Sequence, residues 1–177
     1  YTSDHGSHFR TRNNEYKRSC HDGCIRIPMV AIGPGFENGA VIEELVNLMD
    51  LPPTILQAAD VTPPAYMRGR PLQDLVDGRA ADWPQEVFLQ ISESQCGRAV
   101  RTKKWKYSVR APEKTGQDAS SDVYVEDFLY DLESDPHERT NLVTAPEHLE
   151  TRKMLSQVLK RRMVEAGEEE PEILARD

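Results

Sequence analysis

The stretch "EVFLQISESQCGRAVRTKKWKYSVR", Glu86 to Arg110, contains three short runs rich in aromatic and β-branched residues: "EVFLQIS" (Glu86–Ser92), "GRAVRT" (Gly97–Thr102) and "KWKYSVR" (Lys104–Arg110). Short links join them, so the segment predicts strands paired antiparallel. A fourth run, "DFLYDL" (Asp127–Leu132), follows a long polar loop, "EKTGQDASSD" (Glu113–Asp122). Together they predict a four-stranded antiparallel meander.

An antiparallel sheet with an apolar face needs a cover. Downstream, Thr144-Ala-Pro-Glu147 has the T-x-x-E form of a capping box, with proline near the helix start. Leu155, Val158, Leu159 and Met163 then form one stripe of a helix running to about Glu165. Covering the sheet is the first reading of this helix, and binding a partner is the alternative. From Gly167 the chain is acidic, and a frayed tail is expected.

Upstream, "IRIPMVAIGPG" (Ile25–Gly35) predicts a buried strand over Met29–Ile32, stopped by the Gly-Pro-Gly turn. "AVIEELVNLMDLPPTILQAADVTPP" divides at Asp50. The part before it reads as strand or helix. The part after it reads as a helix capped by Asp50, with prolines in the first turn and Ile55, Ala58 and Ala59 on its apolar face. Between Pro63 and Pro84 the chain is rich in Pro, Gly, Asp and Arg, which sets a boundary near Asp82. The expected organisation is therefore residues 1–82, residues 83–166 and an acidic tail over 167–177.

The 177 residues suffice for a real core, and 38% hydrophobic with 29% charged residues and a mean hydropathy of -0.64 describe a soluble globular composition. No apolar run approaches the roughly 20 residues of a bilayer span. A net charge of -8 argues against a nucleic-acid binder that depends on an overall positive field. Charge is uneven, however: Tyr1–Val30 carries Arg10, Arg12, Lys17, Arg18 and Arg26 against Asp4, Glu15 and Asp22. That reads as a local anion site or as a chance excess of two charges. Three cysteines, Cys20, Cys24 and Cys96, cannot all pair, so at least one thiol is free.

Chemistry concentrates at the start. "TSDHGSHF" (Thr2–Phe9) packs an Asp and two His around a Gly. Adjacent Asp4 and His5 reach one ion only where the chain turns, and Gly6 supplies such a turn. Carboxylate and imidazole suit a divalent ion but need further ligands, and a surface turn is the plain alternative. In "EYKRSCHDGCIRIP", Lys17, Arg18, His21 and Arg26 fall within ten residues. An ammonium there could meet a sulfate or phosphate oxygen with His21 donating nearby, or the run could be a solvated basic loop.

The order "TSDHG", Lys17, "IRIPMVAIGPG", "LMDLPPTILQAADV" with "MRGRPL", "RAVRTKKWKYSV" and "FLYDLESDPHERTNLV" resembles the C-terminal part of a type I sulfatase of the alkaline-phosphatase superfamily. The likeness runs from Tyr1 to about Arg162, and the spacing from Lys17 to "IRIP" is similar to the family's spacing from its sulfate-binding lysine to its arginine-proline strand. It implies an α/β fold: the end of an alkaline-phosphatase-like α/β sandwich, then a small four-stranded antiparallel sheet covered by a C-terminal helix. It also implies Asp4 and His5 as ligands of one Ca2+ or Mg2+ ion, and Lys17 as a catalytic contact to the substrate sulfate. His8, Arg10, Arg12 and His21 lie where subfamilies differ and become candidate substrate contacts, with no catalytic role implied for Cys20 or Cys24.

The resemblance has a gap. Sulfatases use a formylglycine made from Cys or Ser in a C-x-P-S-R type motif, whereas Cys20 is followed by "HDGC", Cys24 by "IRIP" and Cys96 by "GRAV". The early metal-binding aspartates and the other active-site Lys and His residues are missing too. The resemblance thus implies the second half of a sulfate-ester hydrolase, inactive and weakly calcium-binding alone, whose partners are the N-terminal part of the same enzyme and a sulfated small molecule or glycan. Family habit implies a periplasmic or secreted location. A phosphodiesterase or phosphonate hydrolase of the superfamily is the enzymatic alternative, and a stand-alone binding module the non-catalytic one.

Overall fold

The computed structural model describes residues 1–176. They form two compact units: one of Tyr1–Asp4 and Pro28–Val87, the other of His5–Ile27 and the chain from Phe88 onward.

In the first unit regular structure is sparse. Thr2 and Met29 form a single antiparallel bridge, and the Val30 N–H donates to Tyr1 O at 2.8 Å. The expected buried strand over Met29–Ile32 does not form: Val30 is 65% and Ile32 93% exposed. A strand needs a partner ladder, and among the described residues this segment has only that bridge. A 3-10 turn, Leu48–Asp50, leads into helix α2, Leu51–Ala58, and a one-turn helix α3 spans Gln73–Val76.

Asp50 precedes α2 as expected, but its carboxylate does not cap that helix. Its Oδ2 instead accepts the Asn47 N–H at 2.8 Å, closing a capping box on the 3-10 turn, and its Oδ1 accepts the Arg70 N–H at 2.9 Å. Prolines in the first turn leave α2 fewer donors to satisfy, so the carboxylate is free for other work. The face of α2 that is buried carries Pro53 and Thr54, while Ile55, expected inside, is 65% exposed. Thr54 Oγ1 accepts the Leu72 N–H at 2.9 Å and Gln73 Nε2 donates to Thr54 O at 3.0 Å, so polar bonds order this unit. Gly69 fits against the Met49 carbonyl, where any Cβ would overlap.

In the second unit the meander forms nearly as read. Strands β1 (Glu86–Ile91), β2 (Gly97–Thr102), β3 (Trp105–Arg110) and β4 (Val123–Asp131) lie in sequence order, with β1 starting just before the unit boundary. β2 pairs antiparallel with β3, with Arg101 opposite Lys106, and β3 pairs antiparallel with β4, with Lys106 opposite Tyr130.

A fifth strand corrects the count. β5 (Glu172–Leu174) adds to β4 in parallel, so the sheet has five strands and the tail is not frayed. The acidic composition of the tail reads as solvated, but partners await it. Arg98, 3% exposed, donates through Nε to Glu168 Oε1 at 2.7 Å, and Arg176 Nη1 donates to Asp127 O at 2.7 Å.

Helix α4 (Leu149–Glu165) covers one face of the sheet. Leu155, Leu159 and Met163 are fully buried against Val100, Tyr107, Val109, Tyr124 and Leu129. The predicted capping box does not form. Pro146–His148 makes a 3-10 turn whose cap, Ala145, has no side-chain acceptor, and the His148 N–H is satisfied by Ala145 O at 3.1 Å. Thr144 therefore lies one residue too early.

The opposite face of the sheet is covered by the loop His5–Ile27. Cys20 packs there with Ile91 and Ala99, flanked by Leu89 and Phe128. The loop's regular structure is one turn of helix, α1 (Asp22–Ile25). All three cysteines are free and buried, and desolvation pushes the Cys20 thiol up to about 11.

Candidate functional site

Gly6 lets the chain pass directly over α1. Its N–H donates to Cys24 O at 2.7 Å, and a Cβ at position 6 would overlap the Gly23 carbonyl. Just before it, the His5 ring is fixed at both nitrogens. Nδ1 is 2.8 Å from Gly6 O, which requires a proton on Nδ1, so Nε2 is left as the acceptor for the Lys17 ammonium at 3.0 Å. Tyr16 lines the same place, with its ring 6.0 Å from His5 and 5.6 Å from Lys17 Nζ.

The loop that brings position 17 back to position 5 closes through His8. The His8 N–H donates to Tyr16 O at 2.9 Å, its ring Nε2 donates to Lys17 O at 3.0 Å, and the residue is 5% exposed. Thr11 donates to His8 O through both its N–H and its hydroxyl. Three non-glycine residues of this loop, Phe9, Arg10 and Arg18, sit in the left-handed region with φ of 51, 62 and 58°. Such residues cost about 1–3 kcal/mol each and persist where the surroundings overdetermine them.

Of the residues marked in the sequence, the structure brings His5, His8 and Lys17 together. Arg12 is used elsewhere, donating to Glu138 O and His137 O at 2.7 Å each. Arg10 is exposed at the loop tip. His21 is 3% exposed, with Nε2 3.2 Å from the Tyr130 hydroxyl, Nδ1 3.2 Å from Ser19 Oγ and its ring edge-on to Phe128. Asp4 is exposed in the other unit.

Burial, followed by the charges of Arg12 and Lys106, drives the His21 imidazole down to about 3, so it is neutral. The unfolded chain takes up this proton near the ordinary value of 6.5. The neutral ring's contribution is therefore complete above 6.5, shrinks as pH falls below it, and levels off near 3. Urea unfolding should show the wild type losing about 1–2 kcal/mol more than His21→Gln between pH 7.5 and pH 5.0. Equal losses would mean that another group takes the proton.

Sequence reading missed the group that anchors this loop. Lys106 is fully buried and donates to Asp22 Oδ1 and Glu138 Oε1. Arg101 donates to both Asp22 oxygens at 3.1 Å, and the Asp22 N–H donates to Glu138 Oε2 at 2.8 Å. Burial opposes the Asp22 charge, but Arg101 and Lys106 more than offset it and hold the carboxyl below its ordinary value. The one local signal was Lys106 itself, a lysine between the aromatic Trp105 and Tyr107.

Chemically, the His5–Lys17 pair offers a fixed ammonium beside an imidazole, suited to an anionic oxygen. No group of three His, Cys, Asp or Glu side chains that could hold a metal occurs among the described residues. Of the two expected metal ligands, Asp4 carries a carboxylate in the first unit, and the His5 Nε2 lone pair in the second is taken by the Lys17 ammonium. A depression in the first unit, lined by Met29, Phe36, Val41, Ile42, Leu72 and Leu75 among others, has no ionisable residue in its wall.

Among curated proteins the chain is 29% identical over 154 residues to arylsulfatase K of Mus musculus, covering 81% of this chain and 26% of that protein. It is 29% identical over 167 residues to an arylsulfatase of Clostridium perfringens, covering 90% and 32%. The chain thus spans about a quarter to a third of the length of these relatives. Solved structures share the fold. A 2-O GAG sulfatase superposes with TM-score 0.76 at 23% identity, covering 94% of this chain and 36% of that one. A protein solved with its substrate D-glucosamine-2-N,6-O-disulfate gives 0.73 at 20% over 94% and 34%. The phosphonate monoester hydrolase of Agrobacterium radiobacter gives 0.69 at 19% over 93% and 34%. The model of the N-sulphoglucosamine sulphohydrolase C-terminal family matches residues 14–165, most of the second unit's loop and sheet included. On that match the chain belongs to the N-sulphoglucosamine sulphohydrolase C-terminal family.

Proposed function

We propose that this chain is the C-terminal portion of a sulfatase that hydrolyses a sulfate ester, and that Lys17 contacts the sulfate. The observation that carries the reading is the Lys17 ammonium held 3.0 Å from His5 Nε2 in a loop stapled by His8. An ammonium fixed in this way meets an oxyanion without reorganising as negative charge develops, and loss of one such contact costs about 10²–10³ in rate. Tyr16 flanks the pair, and Phe9 and Arg10 are exposed at the loop tip where a substrate group could be met.

The proposal includes a Ca2+ or Mg2+ ion with Asp4 and His5 among its ligands; His5 would give the ion its Nε2 lone pair in place of the Lys17 proton and so release the ammonium to the sulfate. When bound, the ion would supply Lewis-acid stabilisation of charge on the transferring group. The formylglycine and the remaining ligands belong, in this proposal, to an N-terminal part of the same enzyme. Sulfated glycans and small aryl sulfates are the proposed substrates, and the periplasm or the secreted space the proposed location. The complexed disulfated glucosamine among the structural neighbours supports the substrate class.

The test joins the chain to its upstream coding sequence and measures aryl sulfate hydrolysis. Turnover is expected, with Lys17→Ala lowering it about 10²–10³-fold and the 177-residue chain alone giving none. Preference for a phosphonate or phosphodiester over the sulfate, or turnover by the isolated chain, would overturn the reading.

A further inference from the structure

The loop His5–Ile27 has little regular structure and holds three left-handed non-glycine residues, yet it lies against a rigid sheet. Besides the apolar packing of Cys20 on Ile91 and Ala99, polar contacts fasten it on both sides of Lys17. Before Lys17, the Arg12 guanidinium is clamped on the carbonyls of His137 and Glu138. After it, Ser94 Oγ donates to Arg18 O at 2.9 Å, Arg18 pairs with Glu93, and His21 meets Tyr130. Asp22 then enters the buried cluster.

That cluster contains two cations, Lys106 and Arg101, and two anions, Asp22 and Glu138. Arg101 and Lys106 face each other directly across β2 and β3, an arrangement that repels unless an anion sits between them. Asp22 provides the anion, and it comes from the loop. Glu138 is itself left-handed, with φ of 54°, and makes three contacts at once, two of them to the loop: its carboxylate takes Lys106 and the Asp22 N–H, and its carbonyl takes Arg12. A buried ion network is weak evidence for stability, because an apolar replacement of equal volume often holds a fold as well or better. What such a network supplies in some proteins is direction, because charges satisfied together in one geometry are left unpaired in others.

We propose that Asp22, Lys106, Glu138 and Arg101 are positioning residues for Lys17: they lock the strained loop onto the polar face of the sheet so that the ammonium is held at His5. The C-terminal sheet thereby acts on the anion site without touching the anion. The sulfate part of this inference rests on the reading of Lys17 given above; the locking does not.

The experiment uses the 15N-labelled 177-residue chain. Two quantities are followed: the His5 Nε2 resonance, which reports the Lys17 hydrogen bond, and amide exchange in the loop (His8, Thr11) and in the sheet (Tyr107, Leu129). In Asp22→Asn the Lys106–Glu138 pair is retained, so the sheet should keep its protection within about threefold. Loop protection should fall at least about tenfold, and the His5 resonance should lose its hydrogen-bonded position. Arg101→Met, at the strand end with its side chain 15% exposed, gives the same readouts with less risk to the fold. Unchanged loop protection and an unchanged His5 resonance in both variants would overturn the proposal, as would loop and sheet loosening together. The sulfate reading is judged apart, by the turnover of the joined enzyme: Lys17→Ala with unchanged aryl sulfate hydrolysis there, while these variants still free His5, defeats the sulfate role and leaves the locking supported.

Discussion

Lys106→Met should cost the second unit about 3–5 kcal/mol, read as a shift of the urea midpoint followed by near-ultraviolet circular dichroism. Methionine fills nearly the same volume, so the loss is electrostatic rather than steric. Without the ammonium, the Asp22 and Glu138 carboxylates are left in a buried place with Arg101 as the remaining cation. Against a typical total stability of 5–15 kcal/mol, that is a large fraction. The cost should fall when the anions are neutralised as well. Lys106→Met combined with Asp22→Asn and Glu138→Gln is expected to be more stable than Lys106→Met alone, because the penalty arises from unpaired buried charge. If the triple variant is the least stable of the set, the network is a net stabiliser, held in the fold for stability rather than for positioning.

Leu159→Ala is expected to cost about 2–5 kcal/mol by the same measurement. Leu159 is fully buried in the middle of the α4 stripe, between Leu155 and Met163, in one core cluster with Tyr107, Val109 and Leu129. A sheet and a helix fix its walls, so the cavity collapses little and the upper part of that range applies. Val164→Ala, five residues further along the helix but 48% exposed, should change stability by less than about 0.5 kcal/mol. Similar losses at both positions would mean that α4 does not present the face described here.

The contrast between these two sites shows what was legible in the chain. Leu155, Leu159 and Met163 were readable because a helix repeats every 3.6 residues and one face must be apolar to cover a sheet. Strands β1 to β3 were readable for a similar reason, with short links that leave antiparallel pairing as the available geometry. β5 was not readable. Its residues, Glu172–Leu174, lie in an acidic tail, and their pairing depends on β4 and on Arg98 some 70 residues earlier in the chain, neither of which leaves a local mark.

The site divides in the same way. "DHG" and Lys17 stood out as chemistry by composition, but Gly6, expected to make a turn, is needed instead where the chain passes close to the Gly23 carbonyl. That His5 hands its Nε2 to Lys17, and that His8 closes the loop from inside, depends on a chain reversal that spacing alone does not specify. Met29–Ile32 fails for the complementary reason. Its pattern is a buried strand's, but pattern supplies no partner, and Ile32 stands 93% exposed.

The sequence by itself determined the elements whose cause is local: the meander and the α4 stripe. Tertiary structure alone decided which face of the sheet the loop His5–Ile27 would cover. Lys106 and Ser108 alternate with Tyr107 and Val109 as a solvent-facing row should, yet Lys106 has no exposed surface. A charge can occupy such a position when other chain segments bring its counter-charges there. Those counter-charges, Asp22 and Glu138, lie 84 and 32 residues away in the chain.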